Sequence, residues 1–144
     1  MNTSPIFGTS SLLVALGGGL GAWLRHLTGR AWMALVGPVK ASTFPYSTLT
    51  VNVLGCLAMG ILVGWLARHG GDFGLRGSGG ESLRLLLGVG VLGGYTTFSS
   101  FALEFALFIE RGTPGTAALY VALSLAAGFG GLFAGLWLMR GATA

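Results

Sequence analysis

Asn52, Thr97, Ser100, Glu104, Tyr120 and Ser124 are polar residues set inside stretches otherwise built from leucine, valine, alanine, glycine and phenylalanine. If those stretches lie in lipid, each polar group needs a protein partner, because hydrocarbon supplies neither donors nor acceptors. Asn52, in LTVNVLG, offers two N–H donors and an acceptor oxygen. Thr97, Ser100 and Glu104 follow one another at spacings of three and four, which makes one stripe on a helix turning about 100° per residue. Phe98, Phe101, Phe105 and Phe108 make a second stripe, roughly 80° from the first. Tyr120 and Ser124 share a face that Gly128 continues. Amide and hydroxyl groups beside a row of rings suit a neutral polar path through a membrane. The same residues also admit plainer uses. Asn52 can make an interhelical packing bond, the rings can pack or meet lipid, and Glu104 can snorkel toward water.

The elements that must position these residues are apolar. Of the 144 residues, 53% are hydrophobic and only 8% are charged, against about a quarter charged in a soluble domain. Such a chain cannot cover itself with charge, so its solvent is largely lipid. Four segments, about 10–27, 46–67, 83–109 and 114–139, each approach the roughly 20 residues that a helical span needs. The sequence therefore predicts a single all-α membrane domain of four transmembrane helices. Residues 28–45, the glycine-rich 68–82 and 110–113 read as loops from their proline, glycine and charge. The third segment is too long. As straight helix it would reach roughly 40 Å across a core of about 30 Å, and a break near Gly93-Gly94 would absorb the excess.

Glycine recurs at spacings of four in Gly17/Gly21, Gly60/Gly64, Gly90/Gly94 and Gly131/Gly135, a pattern that lets helix backbones approach closely in lipid. Arg68, Arg76, Arg84 and Arg140 fall on the side predicted to hold both termini, and Arg25, Arg30, Lys40 and Arg111 on the other. Orientation normally follows an excess of Lys and Arg on the cytoplasmic side. Four against four gives none. The chain either lets one or two of these residues dominate or inserts both ways and pairs antiparallel with itself.

Several function classes are poorly supported. The basic residues are scattered, without the patch that nucleic acid requires. Cys56 is the only cysteine, which fits a small buried residue rather than a redox pair. His26 and His69 stand near span ends with no ligand partners in the pattern. No basic region precedes the first apolar stretch, which argues against a cleaved signal peptide. No nucleophile elbow occurs, and no second carboxylate stands near Glu104 for acid–base work. An enzyme is not expected.

Three blocks in order carry a resemblance. GGGLGAWLR (17–25), STLTVNVLGCLAMG (47–60) and GVLGGYTTFSSF (90–101) resemble the GGxxGAxxR, GTLxVNxxG and GxxGGxTTFSTF signatures of the small fluoride channels called Fluc or CrcB. The resemblance implies an antiparallel, dual-topology homodimer that exports fluoride passively across the inner (plasma) membrane of a prokaryote. It implies a third helix broken at its middle, with the carbonyls of Gly93 and Thr96 holding a central Na⁺ between subunits. It places Asn52, Phe98 and Phe101 on the fluoride path, with Arg25 at the vestibule. Tyr120 and Ser124 fit the fourth-helix polar positions by spacing. Thr97 and Ser100 would add hydroxyl donors, and Glu104 would orient them. Ser47, Tyr95 and Ser100 depart from the usual glycine, aliphatic residue and threonine; none removes a pore ring. Two rivals remain. A proton-coupled small multidrug transporter would have to use Glu104, since the first span lacks an acid. A non-transporting assembly subunit would need only the glycine spacing.

Overall fold

The structure, a computed structural model, describes residues 8–69 and 78–141. Every regular element in it is helical: α1 (Thr9–Val36), α2 (Pro38–Thr43), α3 (Tyr46–His69), α4 (Ser78–Leu83), α5 (Gly93–Tyr95), α6 (Phe98–Glu110) and α7 (Pro114–Gly141), with a π-helical segment, Arg84–Leu92, joining α4 to α5. Among the described residues three helices are long and apolar enough to cross a membrane: Tyr46–Arg68, Gly80–Glu110 and Pro114–Arg140. In α1, Arg25, His26, Arg30 and the glycines dilute the leucines.

Two glycine seams hold the bundle together. Along the first, α1 lies on the π segment and α5. A Cβ at Gly17 would strike the Leu86 carbonyl, one at Gly21 the Val91 carbonyl, and one at Gly94 the backbone of Gly18. Along the second, α3 lies on α7. A Cβ at Gly60 would meet the Leu132 carbonyl, and one at Gly135 the Leu57 carbonyl. Gly17 and Gly21 thus face Gly90 and Gly94, whereas in the second seam Gly60 meets Gly135 while Gly64 faces Met139 and Gly131 faces Val53 and Leu57. Contact this close maximises dispersion where lipid removes the hydrophobic drive between helices. Large apolar side chains point outward instead, among them Leu16, Trp23, Phe133 and Trp137, as lipid solvation allows.

The buried aromatic centre sits near the end of α6. Phe108 and Tyr120 are buried with Ala117, and Phe44, Leu49 and Phe101 pack on them. The Phe44 and Phe108 rings meet Tyr120 edge-on at 5.6 and 5.9 Å, the geometry that ring quadrupoles favour. Gly112, at φ 70°, turns the chain from α6 into α7, a conformation glycine adopts without steric cost.

Three expectations change. Residues 28–45 are mostly helical rather than loop: α1 continues through the helix-forming AWMALV until Gly37 at φ 80° and Pro38 stop it. Part of 68–82 is also helical, since α4 starts at Ser78 and Glu81 pairs with Arg84 at 2.8 Å; Asp72 and Arg76 lie outside the described residues. The break in the third span falls at Thr96–Thr97, not Gly93-Gly94. Gly93 keeps helical angles, whereas Thr96 (φ −80°, ψ 161°) and Thr97 (φ −153°, ψ 122°) are extended. Gly94 is spent on close approach to Gly18 of α1, and the β-branched threonines take the extended geometry they tolerate well.

Candidate functional site

The break is built by side chains replacing backbone partners. In a continuous helix the Thr97 N–H would donate to the Gly93 carbonyl and the Ser100 N–H to the Thr96 carbonyl. Here the Thr97 N–H donates instead to Asn52 Oδ1 at 2.8 Å, and the Ser100 N–H donates to Thr97 Oγ1 at 3.2 Å. Asn52 closes its own ring of bonds by donating Nδ2–H to the Thr97 carbonyl at 3.0 Å. Its amide therefore pairs with the Thr97 main chain as a neighbouring peptide would. Thr97 is at once the end of the break and the N-cap of α6. The carbonyls of Gly93 and Thr96 lose those two donors, just as those of Gly94 and Tyr95 lose the Phe98 and Ser99 N–H, and among the described residues no backbone bond between elements ends on any of the four.

Beside the break lies a cavity of about 320 Å³ whose lining includes Asn52, Thr97, Phe98, Phe101 and Ser124. Five residues singled out in the sequence, from three helices, thus meet around one space. Thr96, Cys56, Gly128 and Phe129 also line it. Phe98 is 79% exposed and its ring lies 5.7 Å from that of Phe101. The wall carries few free donors. Asn52 has one N–H left after its bond to Thr97. Ser124 Oγ is buried and finds no partner in hydrogen-bond geometry, although it neighbours the Tyr120 hydroxyl. Thr97 has given its own proton to Ser100 Oγ at 3.1 Å, so Thr97 serves the break rather than the cavity.

Glu104 stands apart from that hydroxyl group. Its Oε1 accepts from Thr48 Oγ1 and its Oε2 from the Tyr120 hydroxyl, each at 2.6 Å. The carboxylate thus ties α6 to α3 and α7, and no hydrogen bond joins it to Thr97 or Ser100 among the described residues. The expectation that it orients their hydroxyls is replaced by this bridge. Tyr120 is fully buried and packs on Phe101 at 5.2 Å, so it backs the cavity wall without lining it. The phenylalanine stripe also divides: Phe98 is exposed while Phe108 is buried at 5%. Arg25, on α1, is half-buried and does not line the cavity.

Thr48 stands near the start of its helix, where a hydroxyl reads as interfacial from the sequence. Its spacing points inward all the same: Thr48, Asn52 and Cys56 are spaced by four and share a face. Among the described residues no group of three or more His, Cys, Asp or Glu side chains is placed to hold a metal ion.

Comparison with known proteins agrees with the resemblance. A family profile described as CrcB-like protein, Camphor Resistance (CrcB), matches residues 12–136. A protein of Novosphingobium aromaticivorans named "Fluoride-specific ion channel FluC" is 56% identical over 92% of this chain and 98% of its own length. Proteins of the same name from Beijerinckia indica subsp. indica and Sphingopyxis alaskensis are 52% and 49% identical. They cover 90% and 88% of this chain, and 95% and 92% of their own lengths. With a profile spanning nearly every described helix and relatives this similar from end to end, the chain belongs to the CrcB-like family.

Proposed function

We propose that the protein is a passive, fluoride-selective channel that exports fluoride from the cytoplasm and so relieves its toxicity. The observation that carries this is the cavity at the break, where Asn52, Phe98, Phe101 and Ser124 converge, in a chain whose relatives are named fluoride-specific channels. Fluoride is small and strongly hydrated, so a path must replace its water with donors. The free N–H of Asn52 and the unpartnered Ser124 hydroxyl are donors without formal charge, which favours passage over trapping. The edges of Phe98 and Phe101, where an aromatic ring is positive, complete the coordination. Arg25 attracts anions toward the entrance, and the uncommitted proton of Ser100 extends the donors along α6. No covalent step is involved, and the protein is not an enzyme.

The assembly we propose has four spans, with α1 as the first, and is an antiparallel, dual-topology homodimer in the inner (plasma) membrane of a prokaryote. The even split of Lys and Arg supports it, as does the side of the cavity left open at the 79% exposed Phe98. The freed carbonyls of Gly93 and Thr96 fit a hard cation, and they would hold Na⁺ at the centre of the dimer. When bound, Na⁺ supplies positive charge to acceptors that the break leaves without donors. The drug–proton exchanger is the weaker alternative, because both oxygens of Glu104 are already engaged by Thr48 and Tyr120.

Purified protein in liposomes, read with a fluoride electrode, tests this function. Efflux that needs no proton gradient is expected. Absence of efflux, with proton-coupled drug exchange in its place, overturns the channel. A C-terminal reporter should appear on both faces of the membrane, and its restriction to one face would end dual topology.

A further inference from the structure

The pairing of Asn52 with Thr97 needs α3 and the break held in register, and both flanks of that pairing reach α1. Two residues before Asn52, Thr50 Oγ1 accepts from Trp32 Nε1 at 3.0 Å. Two residues before Thr97, the Tyr95 hydroxyl meets Thr28 Oγ1 at 3.2 Å. Thr28 gives its single hydroxyl proton to the Leu24 carbonyl at 3.0 Å, so the phenol of Tyr95 is the donor. Thr28 and Trp32 are four apart, on one face of α1. Trp32 is itself steadied by stacking on Tyr46, with centroids 5.1 Å apart.

We propose that Thr28, Trp32 and Tyr95 form a strut, a set of positioning residues through which α1 fixes the register of Asn52 against Thr97. The glycine seam between α1 and the third span cannot do this alone. Faces made of glycine backbone are smooth, and dispersion across them is non-directional, so they set distance better than register. Hydrogen bonds are directional, and these two stand at the end of the seam, one to each partner of the pair. The strut also gives Tyr95 a use that an aliphatic residue at its position could not serve. Its effect on transport rests on the proposed channel function, whereas its effect on the Asn52–Thr97 pair does not.

The test compares Tyr95→Phe, Thr28→Val, their double variant and Thr28→Ser in the full-length reconstituted protein. Hydrogen exchange of the Thr97 amide is read beside fluoride efflux. Each single loss of the bond should speed Thr97 exchange about fivefold, the equilibrium factor of one neutral hydrogen bond. The double variant should go no further, Thr28→Ser should match the parent, and efflux should fall with the loss of protection. Amides along the α3–α7 seam should keep their parent rates, which a general loosening would not allow. Thr97 exchange within about twofold of the parent in Tyr95→Phe, smaller than one such bond supports, overturns the strut. So does additivity in the double variant or an equal rise along the α3–α7 seam. Tyr95→Phe decides alone if Thr28→Val does not fold. Should the parent pass no fluoride, the channel function falls while the exchange result still decides the strut.

Discussion

Replacing Asn52 by leucine separates the two jobs its amide performs. Leucine keeps the branched shape of the side chain, but its methyls need more room than a hydrogen-bonded oxygen and nitrogen, so any overpacking adds to the polar loss. The Thr97 N–H loses its acceptor at 2.8 Å and the Thr97 carbonyl loses its donor at 3.0 Å. Each orphaned buried group costs about 1–3 kcal/mol, so the pair costs about 2–6 kcal/mol if both stay dry. The lower end is expected, near 2 kcal/mol, because a chain unfolded in the membrane also finds partners for its polar groups. Thermal unfolding of purified protein, followed by tryptophan fluorescence and by loss of monodispersity, measures the cost against the parent. Fluoride efflux is measured on the same preparation at a temperature where both remain folded, and Asn52→Leu should abolish it. A variant whose stability lies within about 0.5 kcal/mol of the parent, well under the cost of one orphaned group, would show that the Thr97 main chain does not depend on the amide. The side-chain account of the break would then be wrong, whatever happened to flux.

Ser124→Ala makes the complementary case: Ser124 Oγ has no partner in hydrogen-bond geometry among the described residues, so unfolding should stay at or slightly above the parent temperature while efflux falls several-fold, and unchanged efflux would remove Ser124 from the path. Glu104→Met keeps roughly the length of the side chain but removes both acceptors, leaving the Thr48 and Tyr120 hydroxyl protons without the oxygens they donate to. A loss of about 1–3 kcal/mol is expected in thermal unfolding, and a neutral result would mean that the bridge does not tie α6 to its neighbours. Within α1, Gly21→Ala should disrupt packing because its Cβ would meet the Val91 carbonyl, whereas Gly19→Ala, with open space around its Cβ, should gain up to about 1 kcal/mol of helix propensity. Equal stability of the two by thermal unfolding would refute the first glycine seam.

What the sequence made legible follows from how lipid treats each residue type. The all-helical fold and the four glycine pairs could be read because a low charge content and a spacing of four have few other uses in a membrane. The polar residues could be found because hydrocarbon leaves none of them without a need for a partner. Their partners could not be read. Thr48 and Tyr120 reach Glu104 across 56 and 16 residues of chain, and no periodicity within one helix points to either. Glycine also misdirects. It permits broken backbone and it permits close contact, and at Gly93-Gly94 the sequence does not say which use prevails. Position decides, because Gly94 faces the backbone of Gly18 and is needed small and helical there. The break then moves to the first residue whose N–H has a better acceptor outside the helix. That residue is Thr97, and the acceptor is Asn52, 45 positions earlier. The freed carbonyl of Gly93, which marks the proposed cation site, is therefore as much a consequence of Asn52 on α3 as of the glycines beside it.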